Sequence, residues 1–320
     1  MYDLHPLFFF NYIDMAMITI LGPTATGKTS LAVALAARIH SEVISGDSRQ
    51  VYRRMDLGTG KDLQEYVING VEIPYHLIDI AEPGTKYTVY DYQRDFLKVY
   101  NEIISRGITP VLCGGSGLYL ESVLRSYQFS PVPVNSELRD ALSGKSLDEL
   151  TVILASYKKL HNTTDVDTCQ RAIRAIEIAD FNKNHPEALR SFPLIEGPVF
   201  GIDIPREVRR ERITRRLHER IEQGMLTEIR HLIGSGVAPD DLMYYGLEYR
   251  YLTLYILGQL SFGEMLRQLE IAIHQFAKRQ MTWFRGMERR GVKIHWIDGM
   301  LPIDLKLQRV MDIICRSEIL

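Results

Sequence analysis

Two spacings of hydrophobic residues alternate along the first 125 residues. Helical spacing runs from Lys28 to His40 and again from Thr88 to Arg106, where Thr88 and Asp91 form a capping pair. Short apolar runs between the helices predict buried strands at 17–21, 42–45, 75–80 and 109–113. Strands that alternate with helices predict an α/β fold, a parallel sheet flanked by helices.

The pattern becomes purely helical between residues 126 and 195. Ser146 and Glu149 form a capping box there, and a second helix is predicted over 167–181. Strand patterns return at 199–204 and 292–297, around predicted helices at 206–223, 246–258 and 262–287. We predict a discontinuous α/β core of 17–125 plus 196–300, a helical insertion of 126–195, a disordered extension of 1–16 and a C-terminal tail of 301–320.

Composition and charge exclude several classes of protein. The 320 residues are 46% hydrophobic and carry a net charge of −2, as in an ordinary globular protein. The three cysteines have no C-x-x-C spacing, which argues against a zinc site or a disulfide framework and favours the cytoplasm. No run reaches membrane-spanning length, and the extension lacks the basic start of a signal peptide. We expect no membrane association.

The loop after the first predicted strand reads GPTATGKT, which is the phosphate-binding P-loop pattern. Backbone N–H groups of such a loop surround phosphate oxygens, the lysine neutralises them, and the threonine hydroxyl can bind Mg²⁺. The motif indicates a bound polyphosphate without deciding that it is a nucleotide. Its residues are Gly22, Pro23, Thr24, Ala25, Thr26, Gly27, Lys28 and Thr29.

Two further loops follow predicted strands, at 46–50 and 114–117. The carboxyl ends of parallel strands share one edge of a sheet, so we expect both loops to meet the P-loop there. Asp47 is either a general base or Mg²⁺ ligand, or a turn aspartate bonded to its own backbone. Asp79 follows another apolar run and is an ambiguous candidate for the metal-binding aspartate of an ATPase.

Basic residues cluster in two places despite the balanced total charge. Seven arginines lie between Arg206 and Arg220, and six basic residues with one acid lie between Lys278 and Lys293. Such runs are usually solvated helix faces, but two of them suggest a phosphate-rich partner. Trp283 and Phe284 are more typical of a core than of a base-stacking surface. In the 167–181 helix, Glu177 is three residues from Arg174 and suits a simple ion pair.

Six blocks in this order resemble the tRNA dimethylallyltransferase (isopentenyltransferase) family, over about Met17 to Asp298. They read GPTATGKT, SGDSRQVYRRMDLGTGK, YHLIDI, GGSGLYL, QRAIRAIEI and AKRQMTWFRG. The resemblance implies a P-loop NTPase-like fold whose helical insertion grips the tRNA anticodon stem-loop. It implies transfer of a dimethylallyl group from dimethylallyl diphosphate to N6 of adenosine 37, next to the anticodon, by a monomer. The P-loop then holds the donor's diphosphate instead of ATP.

The resemblance also implies roles for individual residues. Lys28, Thr29 with Mg²⁺ and Arg216, with Arg212 nearby, stabilise the leaving diphosphate, and Asp47 is the general base. Ser116 holds the adenosine or its backbone. The family's tRNA-contacting segments match Asp47, Ser48, Arg49, Gln50, Ser116, Arg139, Gln170, Arg171, Ala172, Ile173, Arg174, Lys278, Arg279, Gln280, Thr282 and Arg285. Two positions depart from the family pattern: Arg220 stands near a usual methionine, and Leu247 replaces a tyrosine.

Two other functions compete with prenyl transfer. An ATP-dependent kinase of a nucleoside or small molecule explains the P-loop but neither the basic clusters nor the DSRQVY block. A non-enzymatic RNA-binding NTPase explains the charges but leaves Asp47 without a role.

Overall fold

The computed structural model describes residues 16–160 and 164–317. Its contacts divide the chain at two points, between Arg125 and Ser126 and between Pro193 and Leu194. We call the two outer segments together the core unit, and the segment Ser126–Pro193 the helical unit. All of the predicted extension except Ala16 lies outside the described residues.

Eight strands lie in the described part of the chain. They are β1 (Ile18–Leu21), β2 (Val43–Ser45), β3 (Val67–Ile68), β4 (Val71–Glu72), β5 (Tyr75–His76), β6 (Val111–Gly114), β7 (Val199–Asp203) and β8 (Ile294–Asp298). Six of them form a sheet of order β5-β2-β6-β1-β7-β8, in which every pairing is parallel. The predicted α/β class is therefore confirmed, and β3 and β4 form a separate hairpin.

Twelve α-helices lie in the described residues. They are α1 (Lys28–Ile39), α2 (Val89–Ile104), α3 (Gly117–Leu124), α4 (Ser136–Leu142), α5 (Leu147–Tyr157), α6 (Cys169–Asn184), α7 (Arg206–Glu222), α8 (Met225–Gly234), α9 (Pro239–Tyr244), α10 (Leu247–Ile256), α11 (Phe262–Arg289) and α12 (Ile303–Ser317). Capping boxes open α2, α5 and α11 at Thr88, Ser146 and Ser261. Within these described residues, no helix is both long and apolar enough to cross a membrane.

Two hydrophobic clusters make up the interior of the core unit. One joins the sheet to α1 and includes Ile18, Val111 and Phe200, all fully buried. The other joins α7, α8, α10 and α11 to the chain after β2, through Val51, Tyr52 and Met55. Through this second cluster, the α-helices after β7 hold the segment that follows Asp47.

Two predicted element boundaries were wrong. The tail predicted for 301–320 contains α12, whose Val310 and Ile314 are fully buried in the first cluster. The strand predicted for 75–80 ends after His76, because Leu77 and Asp79 have φ angles of 60° and 56°. A strand cannot continue through left-handed backbone.

Candidate active site

Three loops meet at the carboxyl edge of the sheet, because β2, β6 and β1 are neighbours. The P-loop follows β1, the Asp47 loop follows β2, and the glycine loop 114–117 follows β6. The structure thus brings together the three segments that the sequence pattern placed on one edge.

The P-loop has the geometry of a phosphate cradle. Gly27 precedes α1 with a φ of +81°, a left-handed conformation that suits glycine. The Thr26 hydroxyl donates to the Pro23 carbonyl at 2.9 Å, which fixes the turn from inside. The first helical residue is Lys28, so the unpaired N–H groups at the start of α1 surround the loop.

Gln280 joins the P-loop to the glycine loop. Its Oε1 accepts from the Thr24 backbone N–H at 3.0 Å, and its Nε2 donates to the Gly115 carbonyl at 2.9 Å. The side chain is buried on α11. Gln280 was predicted among the RNA contacts. In the structure, both polar atoms of its amide bind the two loops and hold them together.

The Asp47 loop is tied to the glycine loop through Ser116. Ser116 Oγ accepts from the Ser48 backbone N–H at 2.9 Å and donates to Ser48 Oγ at 3.1 Å. Beside this link, a Cβ at Gly114 would lie 2.3 Å from the Gly46 carbonyl oxygen. Only glycine allows that backbone approach, so the two loops are held in direct contact.

Asp47 makes the turn contact that was one of the alternatives left open by the sequence. Its Oδ1 accepts from the Arg49 backbone N–H at 2.9 Å, as a turn aspartate does. No donor among the described residues reaches Oδ2, and the side chain is half-buried. One oxygen therefore fixes the carboxylate while the other is available to a ligand.

Gln50 is committed to structure, although it was predicted to contact RNA. Its Oε1 accepts from Ser45 Oγ at 3.1 Å, and its Nε2 donates to the Gly60 carbonyl at 3.2 Å. The side chain thus joins the end of β2 to the far end of the SGDSRQVYRRMDLGTGK block.

Arg216 and Arg220 share one carboxylate at the side of the P-loop. Asp62 Oδ2 accepts from Arg216 Nη2 at 2.7 Å and from Arg220 Nη2 at 3.1 Å. Both arginines line a small cavity with Thr24, Ala25 and Glu248. Burial, followed by the charge of Arg220, lowers the pKa of the Arg216 guanidinium. Two cations are therefore concentrated beside the phosphate cradle.

Arg212 lies one turn before Arg216 and outside that cavity. Its Nη2 is 3.9 Å from Met300 Sδ, beyond the end of β8. In the first turn of α1, Ser30 Oγ donates to Glu65 Oε2 at 3.1 Å. Burial raises the pKa of the Glu65 carboxyl above its usual value.

A basic cleft of about 610 Å³ opens at the carboxyl ends of β7 and β8. Lys278, Thr282 and Arg285, predicted to contact RNA, line it together with Arg206 and Arg209. Three further residues of α11 lie elsewhere: Arg279 lies over the Phe276 ring, Phe284 is fully buried, and the Trp283 ring packs against Gly117.

Comparison with known proteins identifies the family. Residues 50–287 match the model of the IPP transferase family, and residues 15–76 match the isopentenyl transferase model. The chain belongs to the IPP transferase family. Family membership decides against the kinase and against the non-enzymatic NTPase.

Similar members of the IPP transferase family include two bacterial proteins. The chain is 60% identical over 298 residues to tRNA dimethylallyltransferase 2 of Phocaeicola vulgatus, covering 93% of this chain and 97% of the relative. It is 62% identical over 297 residues to tRNA dimethylallyltransferase 2 of Bacteroides fragilis, covering 93% and 97%.

Solved structures share the fold. The full-length tRNA isopentenylpyrophosphate transferase of Bacillus halodurans aligns with a TM-score of 0.67 at 30% identity, covering 93% of this chain and 95% of that one. A eukaryotic dimethylallyltransferase, solved acting on tRNA, aligns with a TM-score of 0.69 at 20% identity, covering 88% and 73%. The second likeness supports the fold alone.

In this IPP transferase, Asp79 has a structural role in place of the metal-binding role considered from sequence. It accepts a hydrogen bond from Lys61 Nζ, and the Lys61 side chain is fully buried. Lys61 also donates to the Tyr52 carbonyl at 2.5 Å and to Asp56 Oδ1 at 2.9 Å. The sequence pattern did not single out Lys61, although this residue ends the SGDSRQVYRRMDLGTGK block.

The helical unit of this IPP transferase contains the other predicted RNA contacts. Gln170 and Arg171 are exposed on α6. Ala172 is fully buried, and Ile173 packs against the same small core. Both side chains therefore contribute to the core of the helical unit, although they were predicted among the RNA contacts. Helical periodicity turns these positions inward.

Arg139 and Arg174 converge on the buried Glu177 of the helical unit. Arg139 donates to both carboxylate oxygens at 3.0 and 2.8 Å, and Arg174 donates to one. The Asn135 backbone N–H adds a third donor at 2.6 Å. The ion pair considered from sequence is therefore present, with a second arginine in it.

Proposed function

We propose that this protein transfers the dimethylallyl group of dimethylallyl diphosphate to N6 of adenosine 37 in tRNA, with release of diphosphate. One observation carries the proposal: Gln280 and Ser116 join the P-loop, the glycine loop and the Asp47 loop into one edge. A diphosphate in the P-loop and a base beside Asp47 then share one site.

The leaving-group half of the reaction belongs to the P-loop and its arginine. As the allylic carbon–oxygen bond breaks, its electron pair passes to the diphosphate oxygen. Lys28, the backbone N–H groups before α1 and Arg216 stabilise that growing charge. Arg216 is already held in place by Asp62, so little reorganisation of its side chain is required during the reaction.

Mg²⁺ fits the donor set beside the P-loop. Mg²⁺ prefers substrate phosphate oxygens and few protein ligands, and the described residues contain no cluster of three or more His, Cys, Asp or Glu that would hold a metal alone. Thr29 supplies a hydroxyl at the start of α1. Bound there, Mg²⁺ would neutralise charge on the diphosphate.

The acceptor half of the reaction belongs to Asp47. The new bond joins N6 of adenosine to the allylic carbon, and N6 must lose a proton to stay neutral as that bond forms. Its lone pair is delocalised into the ring, which makes the amine a weak nucleophile that needs a base. Oδ2 of Asp47 accepts that proton while Oδ1 stays on the Arg49 N–H. Ser116 and Ser48 lie beside it to hold the extruded nucleotide.

The anticodon stem-loop is the part of tRNA that we propose is recognised. The cleft formed by Lys278, Thr282 and Arg285 suits a phosphate backbone, as do the exposed Gln170 and Arg171 of the helical unit. Arg139 and Arg174 keep about two-fifths of their side chains exposed beside Glu177. The family resemblance also supports a monomer that works in the cytoplasm.

The test incubates the protein with unmodified tRNA and either dimethylallyl diphosphate or ATP, followed by nucleoside digestion and mass spectrometry. We expect adenosine to gain one prenyl group with the first donor and nothing with the second. ATP turnover without that gain would refute the proposal.

A further inference from the structure

Tyr244 is an exposed aromatic residue close to the Asp47 loop. It ends α9, and 47% of its surface is accessible. The Arg49 guanidinium carbon lies 5.4 Å from the centre of its ring, and Lys86 Nζ lies 6.0 Å from it. An exposed ring with two cations around it is a chemical feature that none of the roles above uses.

The residue that follows Tyr244 is held in place by several contacts. The neighbouring Tyr245 is almost fully buried, and its hydroxyl accepts from the Gly84 N–H at 2.7 Å and donates to the Thr85 carbonyl at 2.8 Å. Its ring lies 4.3 Å from that of Tyr52. These contacts fix the segment just before Lys86 and the residue just after Tyr244, so the ring and the lysine are held together.

The positive charge at this surface has no acidic partner. Within the described residues, neither Arg49 nor Lys86 forms an ion pair, whereas Arg216 and Arg220 both pair with Asp62. Arg49 is also joined directly to the site, since its backbone N–H donates to Asp47 Oδ1 at 2.9 Å. The surface is therefore continuous with the proposed acceptor site.

An aromatic face beside unpaired cations suits a ligand with a flat ring and a phosphate. Single-stranded RNA presents both at every nucleotide, and its bases stack on tyrosine rings. When the target adenosine leaves the stack, its neighbours in the loop lose a stacking partner. We propose that Tyr244, with Arg49 and Lys86, forms a stacking platform for an unpaired anticodon-loop base next to the target adenosine. This inference rests on the proposed function.

The experiment measures binding of an unmodified anticodon stem-loop to wild type, Tyr244→Ala and Tyr244→Phe at fixed salt. We expect Tyr244→Ala to weaken binding by about 10-fold to 100-fold, the range of a lost base–aromatic stack. Tyr244→Phe keeps the ring and should stay within about two-fold of wild type. Phe262→Ala, which removes a similarly exposed ring on α11, is the matched control and should not change binding.

A second measurement replaces each loop nucleotide next to the target with an abasic one. We expect one abasic position to weaken binding to wild type but to have little further effect on Tyr244→Ala, because both changes remove the same contact. Equal losses in both proteins at every position would overturn the platform, as would unchanged binding by Tyr244→Ala.

Prenylation by the wild type, measured in parallel, separates the two proposals. If the wild type does not modify the RNA, the proposed function fails. If the wild type modifies it and Tyr244→Ala binds and reacts equally well, only the platform fails. Circular dichroism of Tyr244→Ala checks that the fold is intact.

Discussion

At the scale of single residues, the two oxygens of Asp47 have different surroundings, and this difference sets the first prediction. Asp47→Asn can keep the Oδ1 contact to the Arg49 N–H but cannot accept the proton of N6. We expect prenyl transfer to fall by about 10²-fold to 10⁴-fold, the usual size of a general-base effect. Binding of tRNA should change little.

The measurement for Asp47 pairs single-turnover kinetics with tRNA binding. Asp47→Ala, which also removes the turn contact, serves for comparison. Parallel loss of binding and rate in Asp47→Asn would mean that the residue is structural.

Arg216 and Arg220 share Asp62 but differ in their expected effects. Arg216→Ala removes a group that we place on the leaving diphosphate, and kcat should fall by about 10²-fold to 10³-fold. Arg220→Met removes the second cation of the cavity beside the P-loop, which shares Asp62 with Arg216. For this variant, we expect KM for dimethylallyl diphosphate to rise with a smaller loss in kcat.

Steady-state kinetics at varied donor concentration distinguish these outcomes. Arg215→Ala, which removes an exposed arginine of the same helix, is the control. A drop in kcat for Arg220→Met as large as that for Arg216→Ala would place both arginines on the diphosphate.

At the scale of elements, the buried Gln280 side chain of α11 joins two loops of the active site. Gln280→Ala leaves the Thr24 N–H and the Gly115 carbonyl without partners, and each buried unpaired group costs about 1–3 kcal/mol. We expect a lower free energy of unfolding and a higher KM for the donor. Urea unfolding and donor kinetics test both effects.

The control for Gln280 is Gln275→Ala, at an exposed position of the same helix. It should leave stability and kinetics unchanged. If Gln280→Ala instead keeps its donor KM and loses only tRNA affinity, the original prediction that Gln280 contacts RNA is correct.

At the scale of the whole molecule, the helical unit is stabilised by a buried carboxylate, Glu177, whose protonation depends on pH. Burial alone would raise the pKa of Glu177, but donors from Arg139, Asn135 and Arg174 outweigh it and hold the pKa at about 2. A lowered carboxyl pKa stabilises the fold above the unfolded value near 4.5 and stops doing so as the pH falls towards 2.

The lowered pKa of Glu177 leads to a prediction about stability at different pH values. Glu177→Gln should destabilise the helical unit at pH 7, by up to about 3 kcal/mol, and much less at pH 2. Hydrogen exchange of residues 126–193 at several pH values measures this directly. Glu187→Gln, at an exposed residue of the same unit, is the control. A loss of stability independent of pH would assign the effect to packing.

The main architecture of the molecule follows from its sequence pattern, but several couplings between distant segments do not. Alternating strands and helices were enough to place the P-loop, Asp47 and the glycine loop on one edge. Periodicity shows which face of a helix is buried but not what it touches, so the bonds of Gln280 to the Thr24 N–H and the Gly115 carbonyl could not be predicted from the sequence. Similarly, the pattern does not show that the buried Lys61 holds Asp79, a contact between residues 18 positions apart.

The backbone contact between Gly46 and Gly114 limits how this enzyme can be redesigned. A library that randomises Gly114 should return only glycine among active clones, because any Cβ there would strike the Gly46 carbonyl. The close approach of the Asp47 loop to the glycine loop thus depends on backbone contact as well as on the Ser116 side chain. Engineering for longer prenyl donors has to enlarge other walls of the site.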